Sequence, residues 1–401
     1  MLRRTMTAGL ASLVALPRAS LASKQYDPGA SDTEIILGQT MPYSGPVSAA
    51  ATVGHACAAY FDALNKAGGL NGRKIKLVSL DDGYSPPKTV EMTRKLVEGD
   101  RVLFLYGSVG TPTNSAVQKF LNDKKVPQLF IATGASRFND PKKYPWTMAM
   151  LPSYAAEGRA LARFVVETIQ SPKIALLYQN DDLGKDFVGG FKSGLGERAK
   201  TLIVSEQTYE ITDTTIDSQV IAAKSSGANV LYFAGTQKFG AMQIRARYDL
   251  GWKPAHLVCS TASGVESVLK PAGLDRSEGL ISTAYAKDPF DPAWANDPDV
   301  QKYVSWVKTN LPQGAPADPG YIVGYMASAL VEYVLRQAQD GLTRANILNV
   351  ASHLDKPPVP LLLPGITVHT TPANYNIIGR FQVQQFRDGR WVRLGNVVSG
   401  E

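Results

Sequence analysis

Two pairs of adjacent aspartates have the residue types and spacing most suggestive of catalysis in this chain. Asp81-Asp82 and Asp181-Asp182 each follow a short apolar run that predicts a β-strand. In an α/β sheet the carboxyl ends of the strands border the crevice where ligands bind, so both pairs stand where chemistry is expected. Adjacent residues of an extended chain point in opposite directions, however, so neither pair forms a ready acid/base dyad. We therefore interpret these aspartates as helix caps and loop hydrogen-bonding groups.

The four histidines do not indicate a metal site or a proton-transfer pair. They are scattered along the chain without the His-x-x-x-His spacing of paired ligands: His55, His256, His353 and His369. The sequence also has no Gly-x-Ser-x-Gly elbow, no Gly-x-x-x-x-Gly-Lys-Ser/Thr loop and no Gly-x-Gly-x-x-Gly after the first predicted strand. It predicts no catalytic residue, no metal and no cofactor, and therefore a protein that is not an enzyme.

The composition narrows the class of protein further. The 401 residues are 44% hydrophobic, enough for a large core and two or three domains. The net charge of +7 is spread without any run of five or six positive residues, so no nucleic-acid partner is predicted. With two cysteines, Cys57 and Cys259, a disulfide scaffold and a cysteine zinc site are excluded. We expect both to be free, buried thiols in different lobes.

Residues 1–22 have the pattern of a secretory signal peptide. Arg3 and Arg4 form a short positive region, and Met6 to Leu16 is mildly apolar. Ser20 and Ala22 place small residues at the −3 and −1 positions of a cleavage site. This segment is too short to span a bilayer, and the chain has no apolar run of about 18 residues. The predicted location is the periplasm.

From Glu34 onward, apolar runs alternate with helical patterns. Two successive series of βαβ units predict two doubly wound α/β lobes, because near-continuous apolar strands are typical of parallel sheets covered on both faces. A hairpin is predicted from Ile377, with its turn at Asp388-Gly389. Two helices between the second series and the hairpin imply that the chain crosses between the lobes more than once. The principal predicted strands are Ile75–Leu80, Val102–Tyr106, Pro127–Ile131, Ile174–Tyr178, Leu202–Thr208 and Val230–Ala234.

Several segments, taken together and in order, resemble a known family. They are Leu37–Pro46, Phe61–Gly72 with its Asn-x-x-Gly-Gly-x-Asn-Gly stretch, Leu80–Asp82 and Thr212–Val230. The chain resembles the type I periplasmic substrate-binding proteins of ABC transporters for branched-chain amino acids over about residues 33–395. The resemblance implies two α/β lobes joined by a three-stranded hinge, with the ligand between them. Lobe 1 is expected to comprise 33–152 plus about 283–372, and lobe 2 153–282 plus about 373–401.

The resemblance also implies a set of ligand-binding positions. Thr111 matches the hydroxyl position of one carboxylate-binding loop, and Ser136 matches that of a second loop, which also contains Gly134 and Ala135. A hydroxyl beside the free N–H groups of a helix N-terminus is a reasonable anion site. Leu183 and Thr236 occupy positions that are often aromatic in the family, and Thr261 lies where amino-acid binders keep an acid for the ligand's ammonium group. Aromatic residues near the predicted cleft edges are Tyr43, Tyr84, Trp146, Tyr154 and Tyr285.

The absence of an acidic residue near Thr261 determines which ligand the sequence predicts. The stretch Cys259–Ser263 contains Ser and Thr but no carboxylate, and a buried ammonium without a charged partner is costly. The sequence therefore predicts a small carboxylate ligand, preferably an aromatic acid, unless Asp182 or Glu266 supplies the missing charge. An aliphatic keto acid, an amide or a branched-chain amino acid are the alternatives. The implied partner is an inner-membrane ABC permease, and the protein is expected to be a monomer. A ligand-sensing receptor on the same fold is the alternative function.

Overall fold

The computed structural model describes residues 24–400, whose longer strands form two separate sheets. The predicted signal peptide, 1–22, lies outside the described residues. A short strand, β1 (Gln25–Tyr26), precedes the first sheet. The first sheet then contains β2 (Glu34–Met41), β3 (Lys74–Asp81), β4 (Phe104–Tyr106), β5 (Gln128–Ile131) and β6 (Thr147–Ala149). All five are parallel, in the order β3-β2-β4-β5-β6.

Helices connect the strands of this sheet. They are α1 (Thr52–Lys66), α2 (Pro86–Arg94) and α3 (Thr111–Asp123). Proline stands at the first positions of α2, where its missing N–H has no intrahelical partner to lose. A tight turn at Asn71-Gly72, both with positive φ, leads from α1 to β3, as the sequence predicts.

The second sheet repeats the same winding and then adds a hairpin. Its parallel part contains β7 (Ile174–Gln179), β8 (Ile203–Tyr209), β9 (Val230–Ala234), β10 (Ala255–Val258) and β11 (Ile281–Ala284). The helices of this part are α4 (Tyr154–Thr168), α5 (Asp182–Leu195), α6 (Ala199–Leu202), α7 (Asp217–Ser225), α8 (Gln237–Asp249) and α9 (Lys270–Ala272). The central strands β7 and β9 are buried along their whole length, whereas the edge strand β8 alternates between partly buried and exposed residues.

The rest of the chain returns to the first sheet before it completes the second. The returning elements are α10 (Pro298–Asn310), α11 (Pro319–Ala338), β12 (Gly341–Leu342) and α12 (Arg344–Ala351). Helix α11 packs on α1 and joins the apolar core of the first sheet, and β12 pairs with β1. The hairpin of β13 (Arg380–Arg387) and β14 (Arg390–Ser399) then extends the second sheet to the order β14-β13-β11-β10-β9-β7-β8.

The chain therefore passes between the two sheets after β6, after β11 and before β13. This confirms the predicted fold class, two α/β lobes with doubly wound parallel sheets joined by three crossings. Strand β11 spans Ile281–Ala284, so it runs across the transition near residue 283 that the sequence predicts between the lobes. The hairpin turn at Asp388-Gly389 is also where the sequence places it.

The two cysteines are free and buried in the cores of different sheets, as predicted. Cys57 lies within α1. Cys259 directly follows the last residue of β10. Within residues 24–400, no helix combines the length and apolar character needed to cross a membrane.

Candidate functional site

A cavity of about 210 Å³ opens between the two sheets. Its walls come from the loops and first helical turns that follow most strands of both sheets, from the residues before and in the first turn of α1, from the start of α11, and from the hairpin of β13 and β14. Loops beyond the carboxyl ends of parallel strands are where α/β folds place their ligands. Both lobes contribute to the wall, so a ligand in this cavity contacts each of them.

The wall from the first lobe is built around the start of α3. Gly110 has φ +110° and directly precedes the helix, and Thr111 is fully buried at its first position. The Thr111 hydroxyl oxygen lies 2.8 Å from that of Thr133, which accepts a hydrogen bond of 3.2 Å from the Ala135 N–H. When Thr133 donates its own proton to Thr111, the Thr111 hydroxyl is free to donate into the cavity. Together with the N–H groups of the helix terminus, this arrangement suits an anion.

The loop that contains the three other predicted residues of this lobe is placed differently. Gly134, Ala135 and Ser136 are not among the residues that line the cavity. Gly134 lets two segments approach closely, since a Cβ there would lie 1.9 Å from the carbonyl oxygen of Pro152. Ser136 is exposed, and its N–H donates to Asp186 of α5 at 3.1 Å. Their predicted ligand-binding roles therefore have no support from the position of this loop.

The four predicted residues of the second lobe do line the cavity: Tyr154, Leu183, Thr236 and Thr261. The Tyr154 ring stacks on Phe187 at 4.1 Å between centroids. The Thr236 hydroxyl donates to the Gln179 side-chain oxygen at 3.0 Å, and the Thr261 hydroxyl donates to the Gly235 carbonyl at 2.8 Å. Both threonines thus present their oxygen lone pairs, more than their protons, to the cavity.

Aromatic rings form part of the wall. Of the aromatic residues singled out in the sequence, Tyr84, Tyr154 and Tyr285 line the cavity, whereas Tyr43 and Trp146 do not. Trp391 of the hairpin also lines the cavity, and no sequence pattern links it to the site. It reaches the cavity because its indole N–H donates to the Ser263 carbonyl at 3.1 Å.

The charged residues of the wall were not identified from the sequence. Asp288, Asp318 and Lys287 line the cavity. Asp318 accepts hydrogen bonds from the Gly320 N–H at 2.8 Å and the Thr52 hydroxyl at 2.9 Å, and burial raises the pKa of its carboxyl. Burial also raises the pKa of Asp288. The Lys287 ammonium is neutralised by Asp297 at 2.7 Å outside the cavity.

The two acids that the sequence offered as substitutes for the missing carboxylate are paired elsewhere. Asp182 forms an ion pair with Arg137 at 2.5 Å, and Glu266 forms one with Lys270 at 2.5 Å. Neither lines the cavity. A protein carboxylate that contacts a ligand in this cavity must therefore belong to another residue.

A third acid, Glu157 of α4, lies directly behind the wall with 1% of its surface exposed. Its carboxylate accepts hydrogen bonds from the Ser260 N–H at 2.7 Å and the Ser260 hydroxyl at 2.6 Å. Burial raises the pKa of Glu157 to about 7, against the opposing effect of the two Ser260 donors and of the Thr283 hydroxyl. The sequence alone does not reveal Glu157, because a glutamate within a helical pattern is indistinguishable from a surface residue.

The aspartate pairs behave as structural groups. Asp181 caps α5 by accepting the N–H groups of Leu183 and Gly184, and Asp82 accepts the Tyr84 N–H at 2.9 Å. Among residues 24–400, no group of His, Cys, Asp and Glu side chains is arranged to hold a metal ion. What the site offers is a shaped, largely apolar cavity with hydroxyl groups at both ends.

Comparison with known proteins matches most of the chain to one family. A family model described as "Periplasmic binding protein" matches residues 34–389. The Leu/Ile/Val-binding protein homolog 3 of Brucella melitensis is 26% identical over 223 residues, which are 54% of this chain and 59% of that protein. The chain thus spans about three fifths of that relative. The leucine-, isoleucine-, valine-, threonine-, and alanine-binding protein of Pseudomonas aeruginosa is 24% identical over 66% of this chain and 70% of its own length.

Solved structures match over nearly the full chain. A branched chain amino acid ABC transporter from Thermus thermophilus with bound valine has a TM-score of 0.82 at 17% identity, covering 92% of this chain and 97% of that one. The fatty acid ABC transporter substrate-binding protein from Thermomonospora curvata has a TM-score of 0.79 at 19% identity, covering 94% and 95%. At these identities the structures establish a shared fold.

Proposed function

Because the chain belongs to the periplasmic binding protein family, we propose that it is a periplasmic solute-binding protein for a small carboxylate, preferably an aromatic acid. The ligand is held between the two lobes and delivered to an inner-membrane ABC permease, and the protein acts as a monomer. The observation that carries the proposal is the cavity itself, which both lobes line with aromatic rings and hydroxyl groups.

The carboxylate end of the ligand is assigned to the first lobe. There the Thr111 hydroxyl, supported by Thr133, stands at the N-terminus of α3. A hydrogen bond to a charged group contributes about 1.5–3 kcal/mol, more than a hydrogen bond between neutral groups. This donor set is suited to a carboxylate and needs no cation from the protein.

The apolar body of the ligand is assigned to the rings on the other walls. Tyr84, Tyr154, Tyr285 and Trp391 border the cavity. Burial of an aromatic ring contributes about 25 cal/mol per Å² of apolar surface removed from water. The Ser260–Ser263 stretch offers hydroxyl groups and no carboxylate, so a bare ammonium gains little there.

Amino-acid binding is the second candidate, and one observation favours it. The carboxylates of Asp288 and Asp318 line the cavity and can face an ammonium group. Relatives of this chain are named as Leu/Ile/Val-binding proteins. Against this candidate, Asp318 already accepts two hydrogen bonds within the protein, which reduces what it can offer a ligand.

Paired ligands separate the two candidates. Thermal unfolding is recorded with 3-phenylpropanoate against phenylalanine and with 4-methylpentanoate against leucine, and mass spectrometry identifies any ligand retained through gentle purification. We expect the desamino acid of at least one pair to stabilise the protein more than its amino acid. If the amino acid stabilises more in every pair, the site is an amino-acid site and the proposal is wrong.

A further inference from the structure

The contact between Glu157 and Ser260 fixes the direction of a hydrogen bond in the cavity wall. Ser260 lines the cavity, whereas Glu157 lies behind it. Both Glu157 oxygens are engaged by the same residue, through the Ser260 N–H and the Ser260 hydroxyl. An ionised carboxylate has no proton to give, so the Ser260 hydroxyl must donate to it.

The opposite protonation state reverses this contact. A protonated Glu157 keeps one oxygen as acceptor for the Ser260 N–H and donates its own O–H to the Ser260 oxygen. The Ser260 proton is then released from Glu157 and turns toward the cavity. One proton taken from solvent thus converts the Ser260 hydroxyl from an acceptor into a donor, as seen by a ligand.

The groups around Glu157 leave its charge unmatched. Those that interact electrostatically with it are Cys259, Tyr154, Tyr232 and Tyr285, and the neutral Thr283 hydroxyl also favours its ionised form. All four are neutral near pH 7, because burial raises the pKa of each thiol or phenol. On α5, which packs along α4, the buried carboxyl of Asp186 is bonded to the Ser136 N–H. On β13 and β11, Gln384 and Thr283 are the polar neighbours at the cavity, and neither is charged.

We propose that Glu157 is a positioning residue that sets ligand specificity by controlling which way the Ser260 hydroxyl points. With Glu157 ionised, the wall at Ser260 selects ligands that bring a hydrogen-bond donor, a hydroxyl or an N–H group. With Glu157 protonated, the same wall selects ligands that bring an acceptor. The pKa of about 7 brings this exchange into the physiological range. The use of acids as probes rests on the proposed function, but the control of the Ser260 hydroxyl by Glu157 does not.

The test compares two ligands that differ in one proton donor. The probes are 4-hydroxyphenylacetate and 4-methoxyphenylacetate, whose carboxylates are ionised and whose phenol is neutral from about pH 5.5 to about pH 8.5. The methoxy group accepts but does not donate. The extra bulk of the methoxy group is the same at every pH. A change with pH in the ratio of the two dissociation constants therefore reflects a change in the hydrogen bonding of the cavity wall, not a change in steric fit.

The variants are Glu157→Gln, Ser260→Ala and a matched control, Glu206→Gln, which alters a partly exposed glutamate paired with Lys192. In the wild type and the control, we expect preference for the hydroxy acid to rise about fivefold to tenfold between the two pH limits. In Glu157→Gln the amide donates to Ser260 as the protonated acid does, so the ratio should stay at its low-pH value. Ser260→Ala should show no pH dependence.

The outcomes distinguish this proposal from the proposed function. A ratio that is constant with pH in the wild type, or that still changes in Glu157→Gln, overturns the role of Glu157. If the acids do not bind but tyrosine does, the site is an amino-acid site and the proposed preference for acids without an amino group fails. The same measurement with tyrosine and O-methyltyrosine then decides the role of Glu157 by the same criteria.

Discussion

The hydroxyl oxygens of Thr111 and Thr133 lie 2.8 Å apart and join the loops that follow β4 and β5. A backbone hydrogen bond from the Ala132 N–H to the Ser108 carbonyl, 2.9 Å long, connects the same loops. Both threonines are fully buried. The Thr111 hydroxyl is therefore held in place before any ligand arrives, which reduces the entropy lost on binding.

Thr111→Val should weaken binding of the carboxylate ligand about tenfold or more, because it removes a donor to a desolvated anion. It should also lower the free energy of unfolding by about 1 kcal/mol, since Thr133 loses its buried partner. Calorimetry and urea unfolding measure the two effects. Thr111→Ser retains the hydroxyl and is the control for binding.

Ser136→Ala tests the role that the resemblance implies for Ser136. Its side chain is exposed and outside the cavity lining, so we expect unchanged affinity for the ligand whose binding Thr111→Val weakens. A tenfold loss in Ser136→Ala, measured by the same calorimetry, would return this loop to the binding site.

Gly110→Ala should distort the start of α3. The backbone there has φ +110°, and a Cβ would lie 2.4 Å from the Thr113 hydroxyl oxygen and 2.6 Å from the Tyr84 ring. Gly72→Ala is the matched control, with φ +80° and no atom within 4 Å of the added Cβ. The control should cost about 1–2 kcal/mol in unfolding free energy for the backbone alone. Gly110→Ala should lower the unfolding free energy by about 1–3 kcal/mol more than the control, because the added Cβ is crowded. The variant should also no longer bind the ligand. Equal costs for the two variants in urea unfolding would contradict the close packing at Gly110.

Arg137→Ala should loosen the contact between the lobes beside the cavity. Arg137 follows β5 and pairs with Asp182 at the start of α5, so the ion pair links the two lobes. Exposed ion pairs contribute about 0.2–1 kcal/mol, so affinity should fall by about 1.5-fold to fivefold, and the difference should shrink at high salt. Lys119→Ala removes an ion pair within α3 and should leave affinity unchanged. Calorimetry at two salt concentrations checks both, and an Arg137 effect that grows with salt would be inconsistent with the ion pair.

Glu157 should make the stability of the protein depend on pH. Burial raises its pKa from 4.5 to about 7, so the folded protein retains a proton that the unfolded chain has released. The free energy of unfolding should therefore fall by on the order of 3 kcal/mol, from this group alone, as the pH rises from 4.5 to about 7. Above about pH 7 the contribution of Glu157 should stay level. Glu157→Gln should remove that part of the slope, whereas Glu206→Gln should keep it. Urea unfolding across this range measures it, and identical slopes in the wild type and Glu157→Gln would show that Glu157 does not titrate there.

The elements of this protein were largely readable from its sequence. Strand β9 begins and ends where the apolar run from Val230 to Ala234 does, and β7 extends the predicted strand Ile174–Tyr178 by one residue. Their patterns are strong because a buried parallel strand is apolar throughout.

The site was readable only in part. Thr111 and the four predicted residues of the second lobe line the cavity, because each follows a strand's carboxyl end and the sheet brings those ends together. The loop of Ser136 meets the same description, yet it turns away to contact α5. Asp288 and Asp318 belong to segments that return to the site late in the chain, and no local pattern marks them.

The sequence by itself determined the two βαβ series, the hairpin and the absence of a carboxylate from Ser260–Ser263, because these depend on residue type and short-range periodicity. The tertiary structure decided which side chains share the cavity and what stands behind them. Glu157 and Ser260 are more than 100 positions apart, and the direction of the Ser260 hydroxyl depends on that contact. A hydrogen bond between distant segments is fixed by the packing of α4 against the second sheet, and packing of this kind leaves no periodicity in the sequence.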